Sequence, residues 1–211
     1  VPRASLLGVQ SVSRSWLSWE NTWFVMAMLT AEGVVRLFPR AGDGADRLLD
    51  LGALIGDGPA DRLCRHLDGG WEPARIAGAL DQWLLARLGA VAAVPELARM
   101  SAAHRMLREG GSVEAAAAAA GVTRRQLGRW YRAHLGPGPK QMMDLERLQA
   151  SLRAAQRGRG DPVTGFADQA HQIRNWRRRL GTTPGRYLRS GMSDLAGLYA
   201  APGEGAPVFY L

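Results

Sequence analysis

Cysteine is nearly missing from this chain of 211 residues, with Cys64 the single example. One thiol excludes an internal disulfide and every zinc site built on several cysteines, and it suits a reducing, cytoplasmic setting. Long apolar runs are missing as well. The longest, Trp23 to Leu29, has seven residues, against the ~20 that a helix needs to cross a bilayer, so no membrane partner is expected. The chain opens on Val-Pro-Arg-Ala-Ser, without a charged start followed by an apolar segment, so no secretion signal is expected. It also opens without Met, so further residues are expected upstream. Histidine is scarce, and His66, His104, His134 and His171 form no metal spacing. No glycine-rich phosphate loop follows a strand, and no Ser-His-Asp or paired-carboxylate arrangement emerges. The expectation is a protein that is not an enzyme and holds no cofactor and no metal. Cys64, beside Arg62, Arg65 and His66, reads as a small apolar residue on a helix face rather than as a nucleophile.

Acidic residues are short in one part of the chain only. Residues 1–98 carry 9 arginines against 11 acids, a net of −2; residues 99–190 carry 18 basic residues against 6 acids, a net of +12. The tail from 191 holds two acids, which brings the chain to +8. A near-neutral front followed by a strongly basic block is the electrostatic footprint of a polyanion binder joined to something else. Every basic residue except Lys140 is arginine, a bias that suits bidentate contacts but that a GC-rich genome also produces.

Two stretches of the basic block repeat one phrase 45 residues apart: Arg129-Trp130-Tyr131-Arg132-Ala133-His134-Leu135-Gly136-x-x-Pro139, and Arg174-Asn175-Trp176-Arg177-Arg178-Arg179-Leu180-Gly181-x-x-Pro184. Each reads as a short basic helix with an aromatic anchor, closed by a glycine stop. In the first, Thr123 is the cap, and Leu127, Tyr131 and Leu135 recur at i, i+4, i+8 on the inner face. That leaves Arg124, Arg125, Gly128, Arg129 and Arg132 outside. In the second, Ile173, Trp176 and Leu180 point inward, leaving Gln169, His171, Arg174, Asn175, Arg177 and Arg178 for a groove and its phosphates. His134 and His171 are explained by phosphate contact or solvation. An outer face of four guanidiniums has too few nearby acids to be a solvated salt-bridge face, so double-stranded DNA is the expected partner.

Around these helices, residues 1–40 read as β-rich, with strands over Leu6–Ser13 and Trp16–Thr30. Residues 41–94 read as connector helices: a short one through Leu48, Leu51 and Leu54, a second opened by Asp57-Gly58-Pro59, and a longer one from Pro73. Two or three strands cannot cover both faces of a sheet. The front half must therefore lean on the helices, pair with a second copy as a homodimer, meet another protein partner, or belong to a larger domain. From Pro95 to about residue 190 the chain reads as helical, with a helix over Pro95–Glu109 and an alanine helix capped by Ser112. A helix from Lys140 to about Arg157 forms a spacer of roughly 25 Å at 1.5 Å per residue. Such a spacer suits two recognition helices one DNA turn, ~34 Å, apart. The fold class expected is mainly α with a small N-terminal β segment, containing tandem helix-turn-helix units joined by a long linker helix. Residues 191–211 read as a tail.

Residues 95–189 resemble the tandem helix-turn-helix domain of the AraC/XylS family of bacterial transcription regulators. The likeness rests on Gly121-Val122-Thr123-Arg124-Arg125-Gln126-Leu127-Gly128-Arg129, Gly136-x-x-Pro139-Lys140, Gly165-Phe166-Ala167-Asp168-Gln169-Ala170-His171-x-x-Arg174 and Gly181-Thr182-Thr183-Pro184-Gly185-x-Tyr187. It implies two recognition helices entering successive major grooves, with Arg125, Gly128 and Arg129 facing bases in the first unit and Gln169, His171 and Arg174 in the second. Residues 23–88 resemble the end of a sensor region in one subgroup of such regulators, shortened, and name no small-molecule effector. The second unit departs from the family pattern. Where the family places a supporting helix, Arg157 to Thr164 reads as a glycine- and proline-rich loop, and Gln172 takes a usually apolar place. Unequal readers are expected, the first gripping bases and the second contributing more to phosphate contact. The rival reading is a basic module that depends on a protein partner or coats DNA without sequence preference.

Overall fold

The computed structural model describes residues 3–13, 24–70, 72–157 and 166–190 of the chain. The expected loop at Arg157–Thr164 beyond Arg157, the expected strand over residues 16–23 and the tail 191–211 lie outside the described residues. The described chain is mainly helical with a small N-terminal two-stranded sheet. No described helix is long and apolar enough to cross a membrane. The residues group into two compact units, the first of 1–10, 26–107 and 111–139, the second of 11–25, 108–110 and 140–211.

In the first unit, β1 (Ser5–Leu7) and β2 (Leu48–Asp50) pair antiparallel, with Leu6 opposite Leu49. The front is less β-rich than its composition suggests. Residues 24–30 form no strand, and α1 (Ala31–Leu37) follows them as a helix. The Thr30 hydroxyl accepts the Gly33 N–H at 3.0 Å and Glu32 sits in the first turn; a cap and a dipole-matched acid outweigh the β preference of Val34 and Val35. The expected helix at Leu48–Ile55 is divided: its first three residues are β2, and Asp50 caps a shorter α2 (Leu51–Ile55). Next come α3 (Asp57–Leu67), on which Cys64 is half-buried, and α4 (Pro73–Ala90), opened by Pro73 and capped by Glu72. Leu6, Leu37, Phe38, Leu51, Leu63 and Trp83 form one buried cluster. The Trp83 indole lies 6.4 Å from the Phe38 ring and donates to the Pro59 carbonyl at 2.9 Å, so its polar edge is satisfied where its apolar body packs.

The same unit holds α5 (Leu97–Arg108), α6 (Val113–Ala119) and α7 (Arg124–His134). Ala103 and Ala116 are fully buried, which lets helix backbones approach closely. Ser112 caps α6 through the Ala115 N–H. The other end of α6 closes on Gly121 (φ 62), with the Val122 N–H on the Ala117 carbonyl and the Gly121 N–H on Ala118. This paired closure satisfies two terminal carbonyls and turns the chain directly into α7.

In the second unit lie α8 (Pro139–Arg157, its first residue in unit one), α9 (Gln169–Leu180) and α10 (Pro184–Ser190). Leu148, Leu152, Ala155 and Trp176 form its buried cluster, with Leu180 and Tyr187 packed against it. Leu-Gly-x-x-Pro acts as stop and start in both copies. Gly136 (φ 92) and Gly181 (φ 69) end a helix in the left-handed region, and Pro139 and Pro184 begin the next one.

Candidate nucleic-acid interface

The first basic helix, α7, is amphipathic because of its spacing. Leu127 and Tyr131 are fully buried and Leu135 nearly so. A helix advances about 100° per residue, so Arg125, Arg129 and Arg132, at i, i+4 and i+7, share the opposite, exposed stripe. Thr123 starts the helix by accepting the Gln126 N–H at 3.2 Å. Arg129 donates to the Gln126 side-chain oxygen. Arg124 is paired, contrary to the expectation that acids were too few: its guanidinium lies 2.8 Å from Glu114 of α6, both side chains remaining well exposed. Hydrogen bonding from its own backbone N–H, from Ser112 and then the charge of Arg124 hold the Glu114 carboxyl below the usual carboxylate range. Arg125 and Arg132 take no acid partner among the described residues. Like charges at i, i+4 cost a helix a few tenths of a kcal/mol per pair, a cost that an anionic partner would reverse. Gly128 is covered: the Arg132 guanidinium lies across it, 3.5 Å from where a Cβ would stand.

Sequence spacing missed the support beneath this helix. Arg99 of α5 donates through Nε to the Ala120 carbonyl at 2.7 Å and through Nη2 to the Gly121 carbonyl, and its guanidinium lies 5.3 Å from the centre of the Trp130 ring. One side chain thus ties the turn to the helix it introduces. His134 corrects the expectation of a phosphate contact or a solvated side chain. It is 4% exposed; its Nδ1 accepts the Arg40 backbone N–H at 3.1 Å, and its Nε2 lies 3.0 Å from Glu96. That pattern leaves Nδ1 unprotonated and gives the proton to Nε2. The hydrogen bond from His134, chiefly, holds the Glu96 carboxyl below its ordinary range.

The second basic helix, α9, starts after Asp168, whose carboxylate accepts the His171 N–H at 2.6 Å. Gln169, Arg174, Arg177 and Arg178 are exposed, and His171 is half-buried with its ring 5.6 Å from Phe166, edge to face. Asn175 departs from its expected place in the groove. It is 2% exposed, on the buried side of α9 next to Trp176. Ile173 and Leu180, expected inward, are half-buried. The inner face of α9 is therefore more polar than that of α7. Gln172 explains how: its side-chain amide donates to Ser151 Oγ of α8 at 2.9 Å, and the Trp176 indole donates to the same oxygen at 3.0 Å. The two lone pairs of one buried hydroxyl satisfy two donors.

No group of His, Cys, Asp and Glu among the described residues could hold a metal ion. Residues 116–190 match the family model of a helix-turn-helix domain, AraC-type, which runs from within α6 through α10. The match supports a DNA-binding transcription regulator with double-stranded DNA as its partner. Searches of curated proteins and of solved structures each returned no match.

Proposed function

We propose that the protein is a sequence-specific transcription regulator of the AraC type that inserts α7 and α9 into successive major grooves of duplex DNA. In α7, Arg125 and Arg129 reach base edges, Thr123, Arg124 and Arg132 hold phosphates, and Gly128, which the Arg132 guanidinium covers, gives the backbone close approach once Arg132 turns to a phosphate. In α9, Gln169, His171 and Arg174 lie toward the groove and, with Arg177 and Arg178, contribute phosphate contact more than base reading. Asn175, being buried, is left out of this interface. The observation that carries the reading is the exposed arginine stripe of α7 set opposite the fully buried Leu127 and Tyr131. Such a helix offers bidentate donors on one side and a rigid mounting on the other.

The two readers are unequal in this proposal. The mounting face of α7 combines Leu127, Tyr131 and Leu135 with His134, both of whose ring nitrogens are partnered, whereas that of α9 includes Gln172 and Asn175, and buried polar groups give away stability unless every partner is met. Footprinting on genomic fragments would supply a preferred site. Gel shifts on that site should then show Arg129→Ala losing about 1–3 kcal/mol of discrimination at one or two base pairs. Arg174→Ala should weaken binding more uniformly and lower the salt slope by about one unit. Equal losses of affinity and discrimination in the two variants would refute the division. Binding that shows no preference over random duplex and falls steeply with salt would refute sequence specificity itself.

A further inference from the structure

Helices end with carbonyls that have no intrahelical donor, and both reader helices meet the beginning of the chain at those ends. Within the first unit, a 3-10 turn at Ala41–Gly44 lies on the end of α7. A Cβ on Gly42 would stand 1.8 Å from the Arg132 carbonyl oxygen and 2.8 Å from that of Ala133, a separation that only glycine permits. A Cβ on Gly136 would meet Ala45 and the Gly42 carbonyl at 2.4 and 2.6 Å. Arg40, at φ 65, turns its N–H to His134 beside this contact. Within the second unit, the end of α9 is held by an exchange of two hydrogen bonds. The Ser13 N–H donates to the Arg179 carbonyl at 2.6 Å, and Arg179 Nη1 donates to the Ser11 carbonyl at 2.8 Å.

We infer that backbone from the first 45 residues positions both reader helices, Arg40–Ala45 at the end of α7 and Ser11–Ser13 at the end of α9. These positioning residues lie outside the segment that matches the helix-turn-helix model and touch the readers at the backbone of their last turns, Arg132 and Ala133 in α7 and Arg179 in α9. The front of the chain is on this view a structural part of each reader rather than a separate module attached to them. The inference rests on the reading of α7 and α9 as DNA readers, and the experiment separates the two.

In the full chain, Gly42→Ala forces the turn off the Arg132 carbonyl, and Ser13→Pro removes the N–H that Arg179 accepts. Gly78→Ala, on α4 where a Cβ meets open space, and Val12→Ala, which keeps both hydrogen bonds, are the controls. Hydrogen exchange of the last-turn amides should quicken about tenfold in α7 alone for Gly42→Ala and in α9 alone for Ser13→Pro. On the footprinted site, Gly42→Ala should lose about tenfold in discrimination within the half that α7 reads, and Ser13→Pro about tenfold in affinity, spread evenly over sequences. Unchanged protection at both helix ends overturns the inference. Should Gly42→Ala fail to fold, His134→Leu, which abolishes the Arg40 and Glu96 hydrogen bonds, tests the same end of α7 by the same exchange. Parent protein without a preferred site would overturn the assignment of readers while the exchange data still decide the positioning.

Discussion

Ser151 joins α8 to α9 through one buried oxygen. Its oxygen is the shared acceptor for Gln172 and the Trp176 indole, and it is 1% exposed. Ser151→Ala removes one acceptor from two buried donors, so urea unfolding should show a loss of about 2–6 kcal/mol, taking 1–3 kcal/mol for each donor left without it. Gln172→Leu removes a donor together with its need and should cost clearly less. Gly128 invites the opposite experiment. A glycine within a helix gives up about 1 kcal/mol relative to alanine, and a Cβ there would meet only the Arg132 guanidinium at ordinary contact distance. Gly128→Ala should therefore raise Tm in a thermal scan while weakening affinity for the preferred site in gel shifts, because a methyl group enters the proposed groove face. Affinity unchanged beside a raised Tm would remove Gly128 from the interface.

Among the elements, those closed by local chemistry are legible in the sequence. Ser112, Thr123 and Asp168 each accept an N–H three residues ahead, and such bonds depend on neighbours in sequence alone. The glycine stops and the Leu127-Tyr131 stripe belong to the same class. The elements that sequence misreads depend on distant partners. Leu48–Asp50 becomes a strand because Ser5–Leu7 lies alongside it, and helical spacing in a leucine-rich stretch carries no trace of that pairing. In the sequence Asn175 is one more polar residue beside arginines; its burial is set by the rotation of α9 against its own unit, which the Trp176 anchor alone does not fix. His134 is hidden in the same way. Its two partners, Arg40 and Glu96, lie 94 and 38 residues away, so only the folded chain reveals it as an internal brace. Arg99, one charge among many in the sequence, escapes notice for the same reason.

For the whole molecule, charge and compactness divide the chain at different places. The change in charge falls near residue 98, whereas the first compact unit continues through α7 to residue 139. Glu96 ties the stability of that unit to pH. Its carboxyl is held below the ordinary range in the folded state, so its contribution is fully present above the unfolded pKa, about 4.3, and is lost as pH falls through the lower folded value. Thermal scans of the parent from pH 7 down to 3 should show a fall in Tm through the acid range. Glu96→Gln should start lower and fall less steeply, so that the two curves converge at acid pH. Parallel curves would mean that the Glu96 to His134 contact contributes nothing to the pH dependence.

The Gly-x-x-Pro punctuation has a consequence for how such a protein can change its target. Glycine in the left-handed region fixes where α7 and α9 end, and proline fixes where the next helix begins, both through backbone alone. Exposed side chains between those marks are free of any part in setting the frame. On the proposed reading, new binding preferences can therefore arise by rewriting a few outward positions of α7, leaving the chassis untouched, and a library randomised at 125 and 129 could sample them.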